Sequence, residues 1–126
     1  MTAAEFRELT NEERAVLKRL LEKPFPGREQ ITRQLDTASV REVTDYKDQY
    51  GSLEFKVETK VKAPTSQRVP VEAMGMDQDD VPIEYLLHVV DGTLAELEIV
   101  KADGSRIQRM PRASELKVRV RTEVTN

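Results

Sequence analysis

The chain has 126 residues, of which 38% are hydrophobic and 34% charged, and its formal net charge is −3. This length suits a single domain spanning residues 1–126, and this composition excludes a wholly disordered chain. The sequence contains no cysteine, which excludes a disulfide framework, a thiolate metal site and a cysteine nucleophile.

The N-terminal residues 1–9 carry Glu5, Arg7 and Glu8 where a secretory signal needs an uninterrupted apolar stretch. No apolar run elsewhere approaches membrane-spanning length. A cytoplasmic protein without membrane contact is therefore expected. Residues 1–9 and 122–126 are predicted to be flexible ends.

Two helices are predicted near the N-terminus. The segment from Thr10 to Glu13 has the pattern of a capping box, which predicts that a helix begins there. The apolar stripe of this helix is formed by Val16, Leu17, Leu20 and Leu21. Pro24 and Pro26 end it. A second helix over residues 27–35 is predicted to face the same core through Ile31 and Leu35.

From Val40 onward the apolar residues recur with a period of two, which predicts strands of an antiparallel sheet. One strand is expected from Leu53 to Val61, with one buried and one solvated face. Pro70 lies within the next alternating run and indicates an edge position or a bulge. A final strand over residues 116–120 is expected to rejoin the sheet.

The strongest local signal is a pair of apolar runs on either side of Asp91-Gly92. This dipeptide favours a type I′ hairpin, because both residues tolerate positive φ. The hairpin sets the predicted cross-strand pairs, which are Val89 with Leu94, His88 with Ala95, Leu86 with Leu97, and Ile83 with Val100. The first strand is apolar on both faces, which places it centrally in the sheet.

Asp103-Gly104 predicts a second turn and a third strand, with Glu98 opposite Arg109. The predicted fold class is therefore α+β. Two N-terminal helices pack on one face of a mostly antiparallel β-sheet, which contains a three-stranded meander at about residues 82–110.

The lone histidine, His88, excludes any site that needs two histidines from one chain. The predicted register places it among aliphatic side chains, where a structural role is the favoured interpretation and a general-base role stays open. The acidic segment Asp77–Asp80 lacks the spacing of an EF-hand and is interpreted as a solvated turn.

The same register places Tyr85 and Glu98 on one face together with Glu96. Paired carboxylates can divide acid and base roles, so this face is a candidate site for a small-ligand binder or a carboxylate-based enzyme. The simpler interpretation is the solvated side of an exposed strand.

The segment 105–121 carries six basic residues and one acidic residue. Such a strip could bind phosphates, but it has no aromatic residue on which bases would stack, so nucleic-acid binding is expected to be weak at most. The arginines are more simply the wet face of strands that lie beside the glutamates of the meander.

Four stretches carry a family resemblance: Leu9 to Arg14, Pro24 to Gly27, Arg68 to Ala73 and Leu86 to Gly92. In them the chain resembles a family of short bacterial proteins classed as a domain of unknown function. The resemblance implies one compact domain and a bacterial source, and it brings no catalytic residue to this sequence.

The favoured function is a non-catalytic cytoplasmic protein-binding module, which includes an immunity or antitoxin-like role. The expected partner is another protein or a second copy of the chain, and no catalytic, cofactor-binding or metal-binding residue is assigned. The candidate interaction surface consists of Tyr85, Glu96, Glu98, Arg106, Arg109, Arg119 and Arg121.

Overall fold

A computed structural model describes residues 5–43 and 51–121. Within these ranges the helices are α1 (Asn11–Leu20), α2 (Arg28–Asp36) and a single 3₁₀ turn (Ala113–Glu115). The strands are β1 (Ser39–Val43), β2 (Ser52–Lys56), β3 (Val71–Met76), β4 (Pro82–Val90), β5 (Thr93–Lys101) and β6 (Lys117–Val120). The strands form one sheet in the order β1-β2-β5-β4-β3-β6, in which all neighbours are antiparallel. The predicted α+β class is confirmed.

Helix α1 begins at the predicted capping box. The Thr10 hydroxyl accepts a hydrogen bond from the Glu13 amide at 3.1 Å, and the Glu13 carboxylate accepts one from the Thr10 amide at 2.8 Å. These bonds satisfy amides that have no partner within the helix. Leu17 and Leu20 are buried against the sheet, so α1 lies on the core as its apolar stripe predicts.

Helix α2 follows Gly27, whose φ of 93° lies in the left-handed region. A side chain there would also collide with Ala63, since an added Cβ would lie 2.9 Å from the Ala63 Cβ. Ile31 is buried as predicted. Leu35, which was expected to share that buried face, is only partly buried, and the polar Gln34 is fully buried instead.

The hairpin between β4 and β5 has the predicted turn, with φ of 52° at Asp91 and 74° at Gly92. The predicted pair of Val89 with Leu94 is also present. Beyond it the predicted register is wrong by one residue, because a bulge at Ala95 moves the later pairs to His88 with Glu96, Leu86 with Glu98, and Ile83 with Lys101. On a regular strand, residues three positions apart point to opposite faces of the sheet. Leu94 and Leu97 are nevertheless both buried, and the bulge between them lets both side chains face the core.

The meander is present, but its third strand differs from the prediction. β3, β4 and β5 are consecutive antiparallel neighbours, and residues 105–110 form no strand. The expected pair of Glu98 with Arg109 does not form. β4 lies on one side of β5, and β2 occupies the other side through the pair of Leu53 with Leu97. The meander therefore runs over residues 71–101 rather than 82–110.

Two further strand boundaries differ from the sequence prediction. β2 ends at Lys56 rather than near Val61. Around Val61 the chain crosses the hairpin turn, and the Val61 carbonyl accepts a hydrogen bond from the side-chain amide of Gln34. Pro70 precedes β3 and does not mark an edge, because β3 pairs with both β4 and β6. Pro70 therefore removes no ladder donor.

The core lies between the two helices and one face of the sheet, which we call the inner face. Residues of β4 that point inward are buried, namely Ile83, Tyr85, Leu87 and Val89. The N-terminal segment joins this core, since Arg7 pairs with Val40 and Leu9 is buried. The opposite, outer face of the sheet carries the alternate residues, which are mostly polar.

Candidate functional site

A cavity of about 440 Å³ lies between the start of α1, the inner face and the segment 110–113. Its lining residues come from most of the chain: Thr10, Glu12, Glu13, Ala15, Val16, Glu42, Gly51, Leu53, Tyr85, Leu97, Ile99, Met110, Pro111, Arg112 and Ala113. Pockets that hold small molecules typically have volumes of roughly 300–1,000 Å³. The cavity is therefore large enough for a small organic ligand.

Most of the side chains deep in the cavity are apolar. Leu53, Leu97 and Ile99 are inward-facing residues of β2 and β5, and they are buried. Val16 of α1 packs against the same core from above. Strand alternation and the helical stripe of α1 thus build an apolar floor, which favours an apolar ligand body.

Tyr85 is the exceptional residue of this lining. Its side chain has 0% exposure on the inner face of β4, and within the part of the chain that the structure describes its hydroxyl has no hydrogen-bond partner. Burial raises the pKa of Tyr85, so the hydroxyl keeps its proton at neutral pH. Buried polar groups without a partner are rare in folded proteins, and each one calls for an explanation.

The mouth of the cavity is charged. Glu12, Glu42 and Arg112 are exposed while they line the cavity. Glu13 is already engaged, because Arg7 donates to both of its carboxylate oxygens at 2.8 and 2.9 Å, and these bonds lower the Glu13 pKa. Within residues 5–43 and 51–121, none of the three exposed groups forms a salt bridge.

The predicted grouping of Tyr85 with Glu96 and Glu98 does not form. The bulge at Ala95 shifts the register, so Tyr85 faces Ile99 on the inner face. Glu96 and Glu98 lie on the outer face, opposite His88 and Leu86. The sheet therefore separates the phenol from the carboxylates, and the predicted placement of all three on one face is wrong.

His88 lies on the outer face with these glutamates, not among aliphatic residues as predicted. Candidate ligand atoms of His88, Glu96 and Glu98 lie within 4.8 Å of one another, and such a set could hold a divalent cation. Both ring nitrogens are already engaged, however. Arg68 donates to Nδ1 at 3.1 Å, so the proton lies on Nε2, which contacts Glu98 at 2.8 Å. A metal would have to displace these contacts.

Glu96 has an unfavourable neighbour. It lies directly opposite Glu54 on β2, and like charges at opposed positions of an antiparallel pair repel each other. Arg41 pairs with Glu54 at 2.8 Å. Among the residues described by the structure, Glu96 itself forms no salt bridge.

The predicted arginine surface divides into two groups. Arg119 and Arg121 lie on and just after β6, and both pair with Glu72 of β3, at 3.0 and 2.8 Å. Arg106 and Arg109 lie in the segment after β5, where their backbones are hydrogen-bonded to Lys101 and Asp77. The arginines therefore do not form one continuous basic strip. The glutamate that pairs with Arg119 and Arg121 is Glu72, which lies on β3.

Sequence reasoning missed a buried charge cluster. Asp77, interpreted as part of a solvated turn, is 3% exposed and pairs with Lys101, which is 1% exposed. The available signal was the alternation of β5, which points Lys101 inward after Leu97 and Ile99. A lysine at an inward position indicates a buried acidic partner.

The fold and cavity define a small α+β protein with a ligand-sized site between a helix and an antiparallel sheet. The chain matches the family described as Domain of unknown function (DUF6984) over residues 6–111, and it belongs to that family. No curated protein and no solved structure matches the chain. Of the helices described here, none has the length and apolar character needed to cross a membrane.

Proposed function

We propose that this protein is a non-catalytic binding module that holds a small molecule in the cavity beneath α1. The observation that carries the proposal is that Tyr85, which lines a ligand-sized cavity, has a buried hydroxyl without a partner among the described residues. A buried polar group without a partner costs about 1–3 kcal/mol, and a ligand atom that pairs with it would remove that cost.

Two titratable groups of the cavity, Tyr85 and Glu13, favour binding over catalysis. A general acid or base works best when its pKa lies near the working pH. Burial moves the pKa of Tyr85 further above neutrality, and the bonds from Arg7 move the pKa of Glu13 further below it. Neither group is therefore suited to proton transfer at pH 7.

A cavity-blocking variant tests this proposal. Ala113 is partly buried in the cavity wall, and the neighbouring Ser114 is exposed and does not line the cavity. We expect fragments of a small-molecule library to bind the wild-type protein and Ser114→Trp in ligand-observed NMR, and to lose binding to Ala113→Trp. If no fragment binds, or if the fragments bind all three proteins equally, the proposal is wrong.

A protein partner or a second copy of the chain remains the prediction from sequence, as do the immunity or antitoxin-like role and the cytoplasmic location. The observation that favours a protein partner is the outer face, where exposed Met74 and half-buried Leu86 lie among charged residues in a shallow hollow. Light scattering over a range of concentrations tests self-association. A monomer at every concentration, both for wild type and for Met74→Glu, would count against it.

Nucleic-acid binding through the C-terminal arginines is the less supported alternative. Glu72 pairs with both Arg119 and Arg121, so its single carboxylate offsets one of their two positive charges. Any affinity for phosphates would therefore compete with these ion pairs. A gel-shift series at decreasing salt tests the alternative, because phosphate contacts strengthen as salt falls.

A further inference from the structure

We infer that the cavity ligand is an amphipathic amine with an apolar body, a neutral hydrogen-bond acceptor at its buried end and a cationic group at the mouth. In this arrangement the Tyr85 hydroxyl donates to the acceptor, and the cation lies beside Glu12 and Glu42. This inference rests on the proposed binding function and specifies the chemistry of the ligand.

The buried end follows from the chemistry of Tyr85. A phenol hydroxyl can donate one hydrogen bond, and it has no acceptor among the described residues. A neutral acceptor such as a ketone or a ring nitrogen can pair with it without bringing a charge into the apolar floor. An anionic acceptor would have to lose its hydration, and among the lining residues that the structure describes there is no buried cation to compensate.

The body of the ligand follows from the floor and walls. Leu53, Leu97 and Ile99 offer an apolar surface, and Val16 and Pro111 complete it on the side of the helix and the loop. Each buried CH₂ group of a ligand contributes roughly 0.8 kcal/mol in such surroundings. A ring or short alkyl chain would therefore fill the middle of the cavity.

The cationic end follows from the charges at the mouth. Two exposed carboxylates, Glu12 and Glu42, stand against one exposed guanidinium, that of Arg112. The third carboxylate of the lining, Glu13, is neutralised by its two hydrogen bonds from Arg7. Arg7 also attracts Glu42, whose charge adds to the Glu13 hydrogen bond in raising the Arg7 pKa. Three carboxylates (Glu12, Glu13 and Glu42) therefore face two guanidinium groups (Arg7 and Arg112), and this net negative charge favours a cation over an anion.

The hydroxyl of Tyr85 is closed to solvent, so a ligand reaches it only when a lining side chain moves. Met110 is suited to that movement, because it lines the cavity, is 38% exposed and has a flexible, unbranched side chain. Its position near Gly51, which has no side chain, leaves it space.

Three small probes separate the parts of this inference. The probe para-acetylbenzylamine carries both the acceptor and the cation. The probe para-ethylbenzylamine lacks the acceptor, and para-acetylbenzoate replaces the cation with an anion. Dissociation constants are measured by NMR titration against the wild-type protein, Tyr85→Phe, Glu42→Gln and Arg112→Gln, with Glu84→Gln on the outer face as the matched control for the loss of a glutamate.

We expect para-acetylbenzylamine to bind wild type about fivefold more tightly than para-ethylbenzylamine, and Tyr85→Phe to remove that difference, since one net hydrogen bond is being lost. Glu42→Gln weakens both amines by about threefold, Arg112→Gln strengthens them, and Glu84→Gln changes nothing. The benzoate binds more weakly than the matching amine.

The outcomes distinguish this inference from the proposed function. If the ketone gives no advantage, if Tyr85→Phe leaves it intact, or if the benzoate binds as well as the amine, the ligand class is wrong although the cavity is a binding site. If library fragments bind the wild-type protein and lose binding to Ala113→Trp, but none of the three probes binds, the proposed ligand class is also wrong. If nothing binds the cavity, the proposed function fails as well.

Discussion

The ammonium of Lys101 and the carboxylate of Asp77 form an ion pair of 3.0 Å in which neither side chain is exposed to solvent. Asp77 also accepts hydrogen bonds from the amides of Gln108 and Arg109, at 2.8 and 2.9 Å. The pair therefore ties the end of β5 and the turn after β3 to the segment that leads to Met110, a wall of the cavity.

Lys101→Met should destabilise the protein strongly, because it leaves the carboxylate of Asp77 buried without its cation. We expect the thermal midpoint to fall by about 10 °C or more. Circular dichroism melting measures it, and Lys117→Met provides the same chemical change on an exposed position of β6. Equal midpoints for the two variants would show that the buried pair contributes no stability.

The pH dependence of stability should follow the same pair. Burial opposes the charge on Asp77, but hydrogen bonds from Gln108, Lys101, Gln78 and Arg109 outweigh it and lower the Asp77 pKa. Its contribution is therefore complete above the unfolded pKa of about 3.9 and is lost as the pH falls below it toward the folded pKa. Burial also opposes the charge on Lys101, but its hydrogen bonds to Asp79 and Asp77 outweigh this effect and raise the Lys101 pKa.

Stability from Lys101 is accordingly complete below the unfolded pKa of about 10.4 and is lost only as the pH rises through the higher folded pKa. We expect the urea midpoint of wild type to fall between about pH 4 and pH 2, and to fall less in Asp77→Asn. Asp91→Asn in the hairpin turn is the control. An equal fall in Asp77→Asn and wild type would contradict the assignment to Asp77.

Tyr85→Phe should leave the unliganded protein at least as stable as wild type and up to about 3 kcal/mol more stable, because it removes a buried hydroxyl that has no described partner. Equilibrium urea unfolding measures the difference. A loss of more than about 1 kcal/mol would mean that the hydroxyl has a partner in solution and that its role is structural.

Gln34→Leu should destabilise the protein by about 3 kcal/mol. The Gln34 amide donates to the carbonyls of Val61 and Gly92 at 2.6 and 2.8 Å, and its oxygen accepts from the Leu94 amide at 2.7 Å. Leucine can make none of these bonds, so the Val61 carbonyl and the buried Leu94 amide lose their bonds to Gln34, and the Gly92 carbonyl keeps only its bond from the Ala63 amide. Gln30→Leu, at a partly buried position of the same helix, serves as the control in urea unfolding, and a similar loss there would refute the explanation.

Glu96→Gln should stabilise the protein by about 0.5 kcal/mol, because it removes the like-charge opposition to Glu54. Thermal unfolding in low salt measures the gain, which should shrink as salt screens the charges. Glu84→Gln, on the outer face opposite Val100, is the control. A destabilised Glu96→Gln would show that Glu96 has a favourable partner.

The helices and the hairpin turn could be predicted because their signals are local. The capping box at Thr10 and the positive φ required at Asp91 and Gly92 depend only on neighbouring residues. The third strand could not be predicted in this way. Whether residues 105–110 pair with β5 depends on β2 taking that edge first, and on Asp77 binding the Gln108 amide.

The predicted grouping of Tyr85, Glu96 and Glu98 was wrong for a different reason. Tyr85 lines the cavity, but its predicted grouping with Glu96 and Glu98 relied on unbroken alternation along β5. One bulge at Ala95 exchanged the faces of everything beyond it. The cavity itself depends on α1 and the segment 110–113 meeting over the sheet, and no local pattern encodes that meeting.

The bulge at Ala95 also means that β5 contains one dispensable residue. Deleting Ala95 would join Leu94 to Glu96, and the strand would then alternate without interruption: Leu94 inward, Glu96 outward and Leu97 inward, each opposite its present partner on β4. Deleting Glu98 instead would turn Ile99 outward and carry Lys101 away from Asp77. A chain shortened by one residue at Ala95 should therefore keep this fold and its cavity, and within β5 a natural length variant is best accommodated at this position.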